Sequence, residues 1–75
     1  MFAVLYVVGK CLLKDRLRDA KMTQQDLAIV INRPKSRISE YARSRKTMSL
    51  ATAKSIAVVL KCNIDDLYEW VPDKN

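Results

Sequence analysis

The segment from Thr23 to Lys46, TQQDLAIVINRPKSRISEYARSRK, constrains the fold more than any other part of the chain. Its spacing predicts two short helices joined by a tight turn. Thr23 suits an N-cap, because its hydroxyl can accept a bond from an otherwise unpaired backbone N–H. Asp26 follows in the first turn, where the helix dipole favours an anion. Met22 and Leu27 have the spacing of a hydrophobic staple, and Leu27, Ala28 and Ile31 mark an apolar face at helical intervals. Asn32 tolerates the left-handed conformation of a tight turn, and Pro34 pre-sets φ for the first position of a new helix. The second helix is predicted over residues 35–43. Ile38, Tyr41 and Ala42 fall on one side of it and Ser36, Glu40 and Arg43 on the other, with Arg37 and Ser39 on the flanks.

Similar punctuation recurs along the chain. A helix over residues 12–21 turns Leu13, Leu17 and Ala20 inward and Lys14, Arg16 and Arg18 outward. Another starts with Ser49 as cap and uses Leu50, Ala53, Ile56, Ala57 and Leu60 as its core face. Asn63 suits the cap of a last helix, with Asp65 and Asp66 in its first turn and Ile64, Leu67 and Tyr68 packing. Met22–Thr23, Met48–Ser49 and Cys62–Asn63 are thus three alike starts, which supports an all-α bundle. Tyr68 and Trp70 are expected as core or dimer-interface residues, and Tyr41 as a core residue whose hydroxyl reaches the rim.

The start, MFAVLYVV, is different. It lacks the basic region and cleavage site of a signal peptide, and it is far too short to span a bilayer, which takes about 20 residues. Its Val, Tyr and Phe content suggests a strand, with Gly9 and Lys10 separating it from the first helix. A strand needs a partner, either the EWVPDKN segment or the same strand of a second subunit. A frayed end is the bland alternative.

At 75 residues the chain is read as one domain over 1–75, with an apolar segment at 1–9, a helical core at 10–70 and a tail at 71–75. Its 49% hydrophobic content, with one Gly and two Pro, is too apolar and too poor in breakers for a disordered tail. The charge of +6 is unevenly spread: residues 1–32 carry a net +2, residues 33–46 a net +5, and residues 47–75 a net −1. A charge run is most often a solvated face, but this one lies on the second helix of the pair, where an anionic partner is expected. With no His, zinc-finger and His-metal sites are excluded. Cys11 and Cys62 have no metal-ligand spacing and read as small core residues; a disulfide would be rare in the reducing cytoplasm expected here. No cofactor is expected. No nucleophile–base pair or Gly-rich phosphate loop points to an enzyme.

The chain resembles the Cro/repressor-type helix-turn-helix proteins, the XRE family. TQQDLA matches the family's TQ-x-x-LA, and Ile38–Ser39 its IS in the recognition helix. SLATAKSIAVVL and CNIDDLYEW match its last two helices, so the likeness runs from about Leu12 to Trp70. It implies an all-α, five-helix DNA-binding domain, here with a short N-terminal β-strand in prospect, whose third helix lies in the major groove. The departures are informative. The family's turn reads Gly, aliphatic, Ser, whereas this chain has Asn32, Arg33 and Pro34. Arg33 must point outward or snorkel, and Pro34 removes the usual capping hydroxyl. An Arg–Glu pair found in many members corresponds to Leu17 and Ala42, so an ion pair is replaced by an apolar contact.

The resemblance also implies roles. Gln24 matches a phosphate-touching glutamine, and Lys35, Ser36 and Glu40 match the base-reading positions. Lys35 can donate to guanine O6 and N7, Glu40 can accept from cytosine N4, and Ser36 suits several bases. Arg37 and Ser39 are placed with the base readers, and Arg43, Arg45 and Lys46 with the phosphate contacts. The plain alternative for Glu40 is an ion pair with Arg37 or Arg43, three residues away on its own helix. A bacterial or phage transcriptional regulator of small-repressor or Cro type is expected. It would be cytoplasmic and nucleoid-associated, bind double-stranded DNA as a homodimer, and have no membrane attachment. The rival reading is a protein-interaction module of the same fold, such as an antirepressor or assembly factor, for which the apolar start and acidic end speak.

Overall fold

The computed structural model describes residues 5–73. The parts of the predicted N-terminal strand and of the EWVPDKN segment at positions 2–4 and 74–75 lie outside them. In chain order the described elements are β1 (Tyr6–Cys11), α1 (Leu13–Asp19), α2 (Gln24–Ile31), α3 (Lys35–Ala42), α4 (Leu50–Leu60), a single 3₁₀ turn (Ile64–Leu67) and β2 (Tyr68–Pro72). The core gathers Leu13 and Leu17 of α1, Leu27 and Ala28 of α2, Ile38, Tyr41 and Ala42 of α3, and Ala53, Ile56, Ala57 and Leu60 of α4. Cys11, Met48, Leu67 and Tyr68 close it. Leu17 and Ala42 are therefore both buried, on helices that pack together.

The expected fifth helix is not there. The described residues hold four α-helices, and after one 3₁₀ turn the chain becomes a strand antiparallel to β1. The cause is non-local. A short terminal helix is marginal alone, Tyr68, Trp70 and Val71 favour a pleated surface, and β1 would otherwise leave its backbone groups without partners. Of the two partners considered for the N-terminal strand, the C-terminal segment is the one that pairs within the chain. The register is Tyr6 with Pro72, Val7 with Val71, Val8 with Trp70 and Cys11 with Tyr68. A bulge sets Gly9 and Lys10 opposite Glu69. Gly9 is thus inside the strand and not a separator. A Cβ there would lie 3.2 Å from the Glu69 carbonyl oxygen and 3.1 Å from Val71 Cγ2.

Each α-helix ends the same way, with a non-glycine residue in the left-handed region: Lys21, Asn32, Ser44 and Lys61, all at φ near 60°. In each case the next amide reaches back to close the last turn, as Met22 N–H does to Leu17 O, Arg33 N–H to Ala28 O, Arg45 N–H to Glu40 O and Cys62 N–H to Ala57 O. This is the Schellman closure, usually made with Gly.

Three side chains depart from expectation. Leu50, assigned to the core face of α4, is 76% exposed, because the first residue of that helix lies beyond the core. Trp70 is not a core residue: it lies on a strand and is 43% exposed, its indole N–H donating to Asp65 O at 3.0 Å, so the core half of its expectation fails and the dimer-interface half is untouched. Arg16, assigned outward, is half-buried beside Asp19 at 3.5 Å, with its Nε out of water.

Candidate nucleic-acid interface

The α2–turn–α3 unit is built as its local chemistry directs. Thr23 Oγ1 accepts from Asp26 N–H at 3.0 Å while Asp26 Oδ2 accepts from Thr23 N–H at 3.0 Å, a reciprocal cap that fixes where α2 begins. Asn32, at φ 56°, turns the chain. Pro34 stands one place earlier than expected, as the N-cap of α3 and not its first helical residue; it supplies no side-chain cap, as the missing hydroxyl implies. Arg33 points into water, its guanidinium donating to Asn32 O at 3.1 Å. Together with Ile31, Ala51, Thr52 and Ser55 it borders a shallow groove between the turn and α4.

Ile38, Tyr41 and Ala42 face the core, which leaves the rest of α3 to solvent. Lys35, Ser36 and Arg37 are exposed and Ser39 and Glu40 half-buried. Gln24 opens α2 and is half-buried. Arg43 follows α3 directly, and Arg45 and Lys46 are exposed in the loop beyond. The fold therefore brings all nine candidate residues onto α3, its following loop and the head of the helix before it. Arg37 Nε sits 3.7 Å from Glu40 Oε1, so the ion pair weighed as the alternative for Glu40 does form, with Arg37 as partner. Arg37 is exposed and the Glu40 carboxylate is reached by water, and such a pair stabilises by at most about 1 kcal/mol. It restrains Glu40 only weakly.

Sequence reasoning gave no part to Ser44, yet it ties the basic loop to the sheet. The Cys11 N–H donates to Ser44 Oγ at 3.1 Å. Two residues past Lys46, the Met48 N–H donates to Tyr68 Oη at 3.1 Å. Cys11 and Tyr68 are partners across β1 and β2, so one end of the sheet holds both ends of the loop. No local signal carries this, because serine is no marker of the left-handed region and its partner is 33 residues away. Burial pushes the Cys11 thiol and the Tyr68 phenol above their ordinary values, and burial with the Asp66 carboxylate does so for Cys62. Both thiols are free.

A short helix set on a capped helix through a tight turn, its polar face outward and cations at its end, is a helix-turn-helix. The model of the Cro/C1-type HTH DNA-binding domain matches residues 13–73. The chain belongs to that family, which is a DNA-binding family and not one of enzymes. It is 36% identical over 69 residues to the SPbeta prophage-derived uncharacterized HTH-type transcriptional regulator YopS of Bacillus subtilis (strain 168), covering 91% of this chain and 93% of that one. Among solved structures it is similar to the transcriptional regulator VanUg, with a TM-score of 0.68 and 24% identity over 96% of this chain and 93% of the other. A crystal structure from Bacteroides fragilis superposes with a TM-score of 0.74 at 18% identity, over 87% of this chain and all of that one. These two likenesses concern the fold. Among the described residues no helix is long and apolar enough to cross a membrane.

Proposed function

We infer that the chain, acting as a single domain, is a sequence-specific double-stranded DNA-binding transcriptional regulator of small-repressor or Cro type. The observation that carries this reading is the outward face of α3. Lys35, Ser36, Arg37, Ser39 and Glu40 stand on it with no core role, and Arg43, Arg45 and Lys46 follow at its end. Eight residues of helix are about 12 Å long, which suits a major groove about 12 Å wide. In the groove, Lys35 donates to guanine, Glu40 exchanges Arg37 for a cytosine amino group, and Ser36, Arg37 and Ser39 add contacts to neighbouring bases. Gln24, Arg43, Arg45 and Lys46 hold phosphates and set register. One such unit reads only a few base pairs, so the protein acts as a homodimer on two half-sites. The YopS likeness supports a phage or bacterial regulator.

Titrating duplex DNA binding against salt tests this. With about four phosphates neutralised, log K falls against log salt with a slope of roughly −3 to −4. A flat response, or no duplex binding at low salt, transfers the assignment to a protein-interaction module of the same fold.

A further inference from the structure

The outer half of the β1–β2 ribbon contributes no side chain to the hydrophobic core just described. Leu5 just before β1, Tyr6, Val7 and Val8 on it, and Trp70 and Val71 on β2 are all exposed, from 40% at Val8 to 59% at Tyr6. Strand alternation puts Tyr6, Val8 and Trp70 on one face of the ribbon and Leu5, Val7 and Val71 on the opposite one, so both faces are open. Together they leave on the order of 500 Å² of apolar surface in water, divided between the two faces. A two-stranded ribbon is also marginal on its own, whereas three or more strands hold.

The backbone says which edge is open. Asp73 N–H donates to Leu5 O at 2.8 Å. In an antiparallel ladder with this register, the amides of Leu5, Val7, Val71 and Asp73 then point between the strands, and those of Tyr6, Val8, Trp70 and Pro72 point away. On the β2 edge, Pro72 has no N–H to offer, a common way of blunting an edge strand. On β1 the bulge and Lys10 mark the inner end of the edge, and the stretch before them carries no such device. Leu5 to Gly9 includes no proline and no charge, and Tyr6 and Val8 present complete peptide groups.

We propose that a second copy of this chain docks on the β1 edge, pairing β1 with its own symmetry mate in antiparallel fashion. The result is a four-stranded sheet ordered β2-β1-β1′-β2′. A two-fold contact of this kind is self-complementary, since each strand offers the other the same groups it needs. The apolar side chains on both ribbon faces then gain neighbours across the two-fold. The purpose of this dimer, presenting two copies of α3 to two half-sites, rests on the DNA-binding reading above.

Sedimentation equilibrium of the full chain without DNA tests the surface. Wild type is expected as a dimer. Val8→Lys places like charges across the pairing edge and weakens self-association by about tenfold or more. Leu50→Lys, on the exposed start of α4, leaves the dimer intact. A wild-type monomer at high concentration, a dimer that survives Val8→Lys, or one lost with Leu50→Lys overturns the proposal. Should Val8→Lys fail to fold, single Tyr6→Cys, Val7→Cys and Val8→Cys variants replace it. Whichever lies on the two-fold forms a covalent dimer under mild oxidation, and the absence of any such product overturns the proposal. Binding to random duplex DNA at low salt is read in parallel. A dimer that does not bind sinks the DNA-binding reading and leaves the β1 interface standing.

Discussion

Ser44 carries two opposing effects that substitution can separate. It sits at φ 60°, where a residue with a Cβ is disfavoured by about 1–2 kcal/mol relative to Gly. Its hydroxyl also accepts the N–H of buried Cys11 at 3.1 Å. Ser44→Ala keeps the backbone penalty and orphans that amide, a loss of about 1–2 kcal/mol at this half-buried position. Ser44→Gly orphans the same amide but relieves the backbone, so it should fall within about 1 kcal/mol of wild type. Lys61, at φ 56°, supplies the reference. Lys61→Gly has the relief without the lost bond and should stabilise by about 1 kcal/mol, raising Tm by roughly 4–8 °C for a domain of this size. Urea unfolding followed by circular dichroism gives all three values. The stability gap between Ser44→Gly and Ser44→Ala should match the gain from Lys61→Gly. An unharmed Ser44→Ala protein would show that the sheet does not hold the loop. Equal damage from Ala and Gly at position 44, with Lys61→Gly still stabilising, would refute the backbone half of the reasoning.

The other predictions concern recognition, the core and pH. In parallel binding-site selections, Glu40→Ala should relax preference at one base pair per half-site by about 1–3 kcal/mol, while Arg45→Ala or Lys46→Ala should weaken specific and random DNA together and reduce the salt slope by about one. An unchanged motif with Glu40→Ala returns Glu40 to its ion pair with Arg37, and a changed motif from the loop variants moves the recognition surface. Ala42→Glu alone should bury an unpaired carboxylate and destabilise by about 2–4 kcal/mol, with Leu17→Arg recovering part of the loss; additive damage in the double variant means the two side chains do not meet. Cys11, Cys62 and Tyr68 all ionise less readily folded than unfolded, so their contribution to stability is complete below the ordinary cysteine value of 9.0 and is lost as pH rises through the folded values. A urea midpoint that does not fall as the pH is raised above about 9 would contradict this.

What could be read from the sequence was whatever a few neighbouring residues decide. The Thr23 and Ser49 caps, the left-handed Asn32 and the buried side of α3 at Ile38, Tyr41 and Ala42 depend on contacts within a turn or two, and the structure agrees with each. The errors share one source. Asn63, Asp65 and Asp66 do start a helical turn, and Asp66 Oδ2 accepts from Asn63 N–H at 3.0 Å, but its continuation is decided by β1, more than 50 residues earlier. Gly9 resembled a breaker because the bulge that needs it exists only once Glu69 lies opposite. With a single glycine in the chain, the left-handed residues Lys21, Ser44 and Lys61 had no compositional mark, whereas Asn32 did. Of the candidate interface, the outward face of α3 was legible because helical spacing alone sorts it from the buried side. The anchoring of its loop was not, because both anchors lie on strands.

That anchoring joins the two ends of the molecule. The bulge at Gly9 and Lys10 divides the ribbon into an outer part, open on both faces, and an inner pair, Cys11 and Tyr68, sunk in the core. The inner pair is also what grips the loop, Cys11 through Ser44 and Tyr68 through Met48. Arg45 and Lys46 are therefore carried between two fixed points, although both side chains are free in water. In a dimer joined through β1, the same strands that meet at the two-fold would hold the cationic loops. The distance between the two loops would then be set by a short, hydrogen-bonded sheet and not by the looser packing of helices. Half-site spacing is a distance of this kind, and a rigid path between the dimer contact and the cationic loop is what would fix it.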